Sequence, residues 1–262
     1  MVLPAEAAGW TLDRGVHRLR TSFQWQNTMD RYFLNGERIP YFFDGQNRTR
    51  GLFLDYAYGV SDRLELSAQV SVFSIAFDDL SDDRTSNGIG DLFVTGRYNL
   101  VDGPLVVTVR GAVKFPTGEF VNDAEVVPIG QGQYDFETSV EVGRSLWPRP
   151  GYVTGSFGYR FRTDNAETQT AFGDELTWHA EAGTQIRGRL HGKILARGLY
   201  GRASRSFGLA IDTLKREIVY LEPGLRFELT TERGVSVSFP TTLRGRNWPA
   251  GPVVNLSFYQ RF

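Results

Sequence analysis

Apolar and polar side chains alternate with a period of two along almost the whole chain, the spacing at which successive residues of an extended strand point to opposite faces. In the first run, residues 15–29, one face carries Leu19, Thr21, Phe23 and Trp25, and the other Arg18, Arg20, Ser22, Gln24 and Gln26. The run 63–76 sets Leu64, Leu66, Ala68, Val70 and Val72 against Glu65, Ser67, Gln69 and Ser71. Comparable runs begin at Arg50, Gly90, Leu105, Gln133, Gly151, Asp174, Leu190 and Arg216. A short run holds Val235, Val237 and Phe239, and the last carries Val254, Leu256, Phe258 and Phe262. The pattern predicts about twelve strands, an even number, and no stretch with the three-and-four spacing of a helix competes with it.

The connections alternate as well. Residues 59–62, 101–104, 187–189 and 230–234 are tight turns, and 145–151 is slightly longer. The others, 30–47, 77–89, 116–132, 164–173, 202–215 and 241–250, are long and polar and are expected to be loops. Short turns on one rim and long loops on the other describe an up-and-down antiparallel barrel.

Such a barrel either hides its apolar face in the interior or shows it to lipid. The interior of a small soluble barrel has no room for rows of Leu, Phe, Tyr and Trp from every strand. The aromatic side chains also gather towards strand ends, at Phe23 and Trp25, Tyr56 and Tyr58, Tyr98, Phe115, Tyr134 and Phe136, Phe157 to Phe161, Trp178, Tyr200 and Phe227. Amphipathic rings favour the two headgroup zones of a bilayer. Strands of about eleven residues at ~3.3 Å each, tilted near 45°, span roughly 25 Å of hydrocarbon. The expected fold is therefore an all-β, transmembrane, up-and-down antiparallel β-barrel over residues 15–262, in the bacterial outer membrane, with short periplasmic turns and long extracellular loops. Residues 1–14 form an N-terminal tail, in which Ala5-Glu6-Ala7 reads either as the small-residue end of a secretory signal or as plain tail.

Composition narrows the function classes. The 262 residues include 29 Lys+Arg against 30 Asp+Glu, so bulk charge does not favour nucleic acid. There is no cysteine, which removes zinc-finger, iron–sulfur and disulfide-framework chemistry. Mean hydropathy is negative and no apolar run is long enough for a spanning helix, so only the period of the pattern reports the membrane.

Two stretches carry a resemblance. The ending Val254-x-Leu256-x-Phe258-x-Gln260-x-Phe262 resembles the assembly signal of Gram-negative outer-membrane proteins, which implies the barrel-assembly machinery as a partner; Gln260 departs from the usual apolar residue. In the middle, Tyr58-Gly59-Val60-Ser61-Asp62-Arg63-Leu64-Glu65-Leu66 is followed by Gly88-Ile89-Gly90-Asp91-Leu92, Tyr98 and Phe115-Pro116-Thr117-Gly118. This order resembles the outer-membrane proteins assigned as transporters of the phenol meta-degradation pathway. The resemblance covers about a quarter of the chain and implies a porin-like channel, in some cases linked to aromatic-compound uptake. It supplies no catalytic residues.

The polar faces hold the candidate chemistry. The basic set is Arg18, Arg20, Arg97, Arg110, Lys114, Arg160, Arg162, Arg187, Lys193, Arg197 and Arg226. The acidic set is Asp55, Glu65, Asp91, Asp135, Glu137, Glu141, Glu175, Glu181, Glu222 and Glu228. The candidates for lining a pore are these, less Arg187, Asp91 and Glu228, together with His179. Acidic strands lie between basic ones, so cross-strand pairing is available. Such charges either select ions or simply hold the barrel shut. Of His17, His179 and His191, none sits in a His-x-Ser motif, and no enzyme activity or cofactor is expected. His179 with Glu175 and Glu181 reads as a metal site or, more simply, as part of a charge network. Asp78, Asp79, Asp82 and Asp83 lack calcium-loop spacing and read as a solvated loop, with cation bridging to lipopolysaccharide as the alternative. The expected function is passive diffusion of small polar or ionic solutes. The alternatives are a closed structural or adhesive barrel acting through its long loops and, behind it, a membrane-embedded lipid hydrolase. Expected partners are outer-membrane lipid and lipopolysaccharide, and small solutes.

Overall fold

The computed structural model describes residues 9–81, 83–118, 129–165, 167–207, 209–211 and 215–262; Ala5-Glu6-Ala7 and Asp82 lie outside them. Twelve antiparallel staves close into a ring. They are β1 (His17–Thr28), β2 (Gln46–Gly59), β3 (Leu64–Asp78), β4 (Asp83–Ile89 and Leu92–Val101), β5 (Leu105–Phe115) and β6 (Asp135–Ser145). The second half has β7 (Gly151–Arg162), β8 (Glu175–Arg187), β9 (Leu190–Gly201), β10 (Glu217–Glu228), β11 (Arg233–Ser238 and Thr241–Arg246) and β12 (Val253–Arg261). Each stave pairs with the next, and β12 pairs with β1, with Thr21 opposite Phe258. The start of β1 and the last residue meet at this seam. The His17 amide donates to the Phe262 carbonyl at 2.8 Å, and the Phe262 amide donates back at 3.1 Å. The ring leaves no sheet edge, as lipid requires. Among the described residues no helix is long and apolar enough to cross a membrane, so the strands are the spanning elements.

Exposure settles which face is inside. Leu52 and Val140 are 49% and 48% exposed, whereas Glu65 and Glu175 are 2% and 1% exposed. The apolar face is the outer wall and the charged face is the lumen, as the alternation predicts. Most of the ring-bearing residues stand on the outer wall near the two rims, Trp25, Phe136 and Tyr200 at the long-loop end and Tyr56, Tyr98 and Phe227 at the short-turn end. Phe157 departs from the expected girdles: it stands midway along β7, opposite Trp178 near the long-loop end of β8.

Two expected loops extend barrel staves. Residues 83–89 pair with the upper part of β3, Asp83 opposite Asp78 and Ile89 opposite Val72, so 77–89 is an extended hairpin. Residues 241–246 likewise continue β11 along β10. In β11 the interruption is at Pro240, which has no amide to donate to a ladder. The long loops also pair among themselves. Asp30–Tyr32 lies between Arg38–Pro40 and Trp248–Pro249 in a small sheet, and the Tyr32 hydroxyl donates to the Thr242 carbonyl at 3.0 Å. A second small sheet joins Asp164–Asn165, Thr170–Ala171, Ser204–Ser206 and Leu209–Ile211.

Candidate functional site

The lumen is divided by how its charges are arranged. On the side of β3 to β8, carboxylates from one stave are held by cations from the staves beside it and from the next ones round. Glu65 faces Arg18 at 3.8 Å and Arg97 at 3.3 Å, and Arg97 reaches on to Glu141 at 2.6 Å. Glu137 lies between Arg110 and Arg160, the latter at 2.7 Å. Arg160 also pairs with Glu175 at 2.8 Å. Glu175 takes Arg162 at 3.4 Å and Arg216 at 2.5 Å as well. Asp135 is shared by Arg162 at 3.3 Å and Lys114 at 3.4 Å, and Lys114 pairs with Asp91 at 3.0 Å. Burying one of these ions alone would cost several kcal/mol, so each is sustained by its neighbours. The pairing of acidic with basic strands thus builds two charged clusters along this wall, one around Glu65 and Glu141 and one around Glu137, Asp135 and Glu175.

Mainly on the opposite side, β1, β2 and β7 to β12, with Gln69 of β3 and Ser145 of β6, enclose a cavity of about 660 Å³. It reaches the short-turn rim at Trp147 and Pro150. Its wall carries separate pairs rather than a network. Arg20 meets Asp55 at 3.2 Å, Lys193 meets Glu181 at 3.1 Å, and Arg197 meets Glu222 at 3.4 Å. Glu228 pairs with Arg226 at 3.2 Å, and His191 Nε2 lies 3.1 Å from the same carboxylate without hydrogen-bonding to it. Phe53 and Tyr152 add ring surface to this charged lining. Among the sequence candidates, Arg20, Asp55, His179, Glu181, Lys193, Arg197, Glu222 and Arg226 border the cavity. Arg18, Glu65, Arg97, Arg110, Lys114, Asp135, Glu137, Glu141, Arg160, Arg162 and Glu175 belong to the wall network instead.

A third part of the site comes from residues set aside as tail. The segment 9–16 runs into the lumen from the short-turn rim. The Leu12 amide donates to Glu65 Oε2 at 2.9 Å, and the Gly9 amide to Glu141 Oε2 at 3.3 Å. Arg97 donates to the Trp10 carbonyl at 2.9 Å, and the Thr108 hydroxyl to the Gly9 carbonyl at 2.6 Å. The Trp10 ring stands edge-on to Tyr152, with centroids 6.3 Å apart. At the rim, Gly59 is required: a Cβ there would overlap the Asp13 carbonyl. The same carboxylates that organise the wall therefore also tie down this segment.

Several participants escaped the sequence reading. Arg216 stands one residue before β10, yet it shares the parity of Glu222 and so falls on the lumen face; that parity was the available signal. Ser156 and His179 are cross-strand partners whose side chains meet at 2.6 Å, a pairing invisible to any search for residues adjacent in sequence. The three residues of the metal alternative are each engaged elsewhere: His179 with Ser156, Glu181 with Lys193 and the Tyr152 hydroxyl, and Glu175 with its arginines. In the acidic hairpin, Asp78 pairs with Arg48, and Asp79 accepts from the Ser81 amide at 2.8 Å.

Comparison with known proteins gives a family and a fold. A family model described as "Putative MetA-pathway of phenol degradation" matches residues 22–258. No curated protein matches the sequence. Among solved structures, the chain is similar to the COG4313 outer membrane channel from Pseudomonas putida F1 at 17% identity, with all of both chains covered and a TM-score of 0.81. It is similar to the NanC porin at 9% identity and a TM-score of 0.55, over 93% of this chain and 97% of that one. It is similar to the CymD monoaromatic hydrocarbon channel at 10% identity and a TM-score of 0.51, over 96% and 90%. At these identities the likeness is one of fold.

Proposed function

We propose that this chain, which belongs to the phenol-degradation MetA-pathway family just matched, is a channel of the bacterial outer membrane through which small polar or ionic solutes diffuse passively. The observation that carries the reading is the charge-lined cavity of about 660 Å³ inside a closed barrel whose outer wall is apolar. Pairs of opposite sign along a narrow path admit polar solutes and discriminate among ions by local field. Phe53, Tyr152 and Trp147 in the same lining suit a small ring bearing polar groups, which is the solute class that the family's description brings into view. The short turns, beside which the segment 9–16 enters the lumen, face the periplasm and the long loops face outwards. The last strand, ending in Phe262, is the part that the barrel-assembly machinery would recognise.

The test is single-channel recording in a planar bilayer. Discrete conductance steps are expected, and Lys193→Glu with Arg197→Glu should move the reversal potential towards cation preference. Absence of steps above background would remove the channel reading. It would favour the second one, a closed barrel acting through its loops, which the filled side of the lumen supports.

A further inference from the structure

The lumen cations are spent on carboxylates, whereas a group on the outer wall is not. At the long-loop end, Arg246 is the cross-strand partner of Glu217, and Arg244 of Val219. Cross-strand partners share a face. Ile218 and Glu222, of the opposite parity, are buried in the barrel, so Glu217, Arg244 and Arg246 point outwards. Lys215 pairs with Glu217 at 2.7 Å. Arg244 and Arg246 both act electrostatically on that carboxylate, but among the described residues neither side chain makes a hydrogen bond or an ion pair. Three cations around one carboxylate leave two positive charges uncompensated. Towards the barrel middle the same strip of wall becomes apolar, with Val219, Leu221 and, beside Arg244, the exposed Leu243.

We propose that this patch is a binding site for the phosphate of a phosphorylated glycolipid in the outer leaflet, with the acyl chains lying along Val219 and Leu221. A phosphate monoester carries about −1.5 to −2 charge near neutral pH, which matches the uncompensated excess. The guanidinium fork presents paired donors that fit phosphate oxygens. Glu217 is the first residue of β10, so the patch sits where the stave leaves the hydrocarbon and meets headgroups. A free phosphate would have no use for the apolar strip beneath. The proposal rests on outer-membrane placement, but not on conduction.

The experiment uses the full chain, folded in detergent micelles, with bound lipid read by native mass spectrometry. The probes are bisphosphorylated lipid A, the same lipid without its phosphates, inorganic phosphate and phosphatidylglycerol. The phosphorylated lipid should bind at least about 10-fold tighter than the dephosphorylated one, as expected for a few cations near a lipid surface. R244Q with R246Q should erase that difference, while R233Q at the opposite rim should keep it. The proposal is overturned if the wild-type barrel shows no preference, a result independent of how any variant folds. It is equally overturned if the double variant keeps the preference, or if inorganic phosphate or phosphatidylglycerol displaces the lipid at equal concentration. A barrel that never inserts into bilayers would instead sink the placement in the membrane.

Discussion

Glu175 illustrates what it takes to keep charge in this lumen. Its side chain is 1% exposed and three guanidiniums hold it, from Arg160, Arg162 and Arg216. Glu175→Gln strips all three of their shared counter-charge, and a loss of about 3–5 kcal/mol is expected, read as a fall in the thermal unfolding midpoint in detergent. Arg197 is the contrast. It is 47% exposed and pairs with Glu222 on the neighbouring strand at the edge of the open cavity, so Arg197→Gln should cost only about 0–1 kcal/mol in the same measurement. Equal losses would mean that the two sides of the lumen are equally dry. The alternation in sequence told which of these residues face inwards, since parity alone decides that. It could not tell which carboxylate each arginine holds, because a long side chain reaches beyond its direct cross-strand partner: Arg97 bridges Glu65 and Glu141, on β3 and β6.

At the level of elements, the strands were legible and their surroundings were not. Within the hydrocarbon every second residue must be apolar, so β5 and β9 begin at the residues the pattern marks. Towards the long-loop rim polar and charged residues enter the outer face, the alternation weakens, and residues 83–89 and 241–246 read as loop although they are paired strand. The segment 9–16 was illegible for a different reason. It has no period of its own; its conformation is set by Glu65, Arg97, Thr108 and Glu141, which lie far away in sequence. Because it borrows these polar partners and occupies part of the mouth, deleting residues 9–14 should raise unit conductance several-fold in planar bilayers. The deletion should leave the heat-modifiable band of the folded barrel in place. Unchanged conductance would mean that solutes pass wholly beside the segment.

The whole molecule works as an inverted globule, greasy without and ionic within. Neighbouring residues therefore answer to different solvents. Val109, midway along β5, faces lipid, and Val109→Arg should cost about 2–4 kcal/mol at the bilayer midplane, measured by unfolding in lipid vesicles. Arg110, next in sequence, faces Glu137; Arg110→Val should keep the barrel folded and shift ion selectivity towards cations. Reversed outcomes would turn the barrel inside out. The two faces also evolve under different rules. The lipid side asks only for greasiness, so its residues can drift singly, one Leu for one Val. The ionic side is a joint possession, in which Arg97 serves two acids and a backbone carbonyl at once, and lineages descending from such a barrel would change there in concert or not at all.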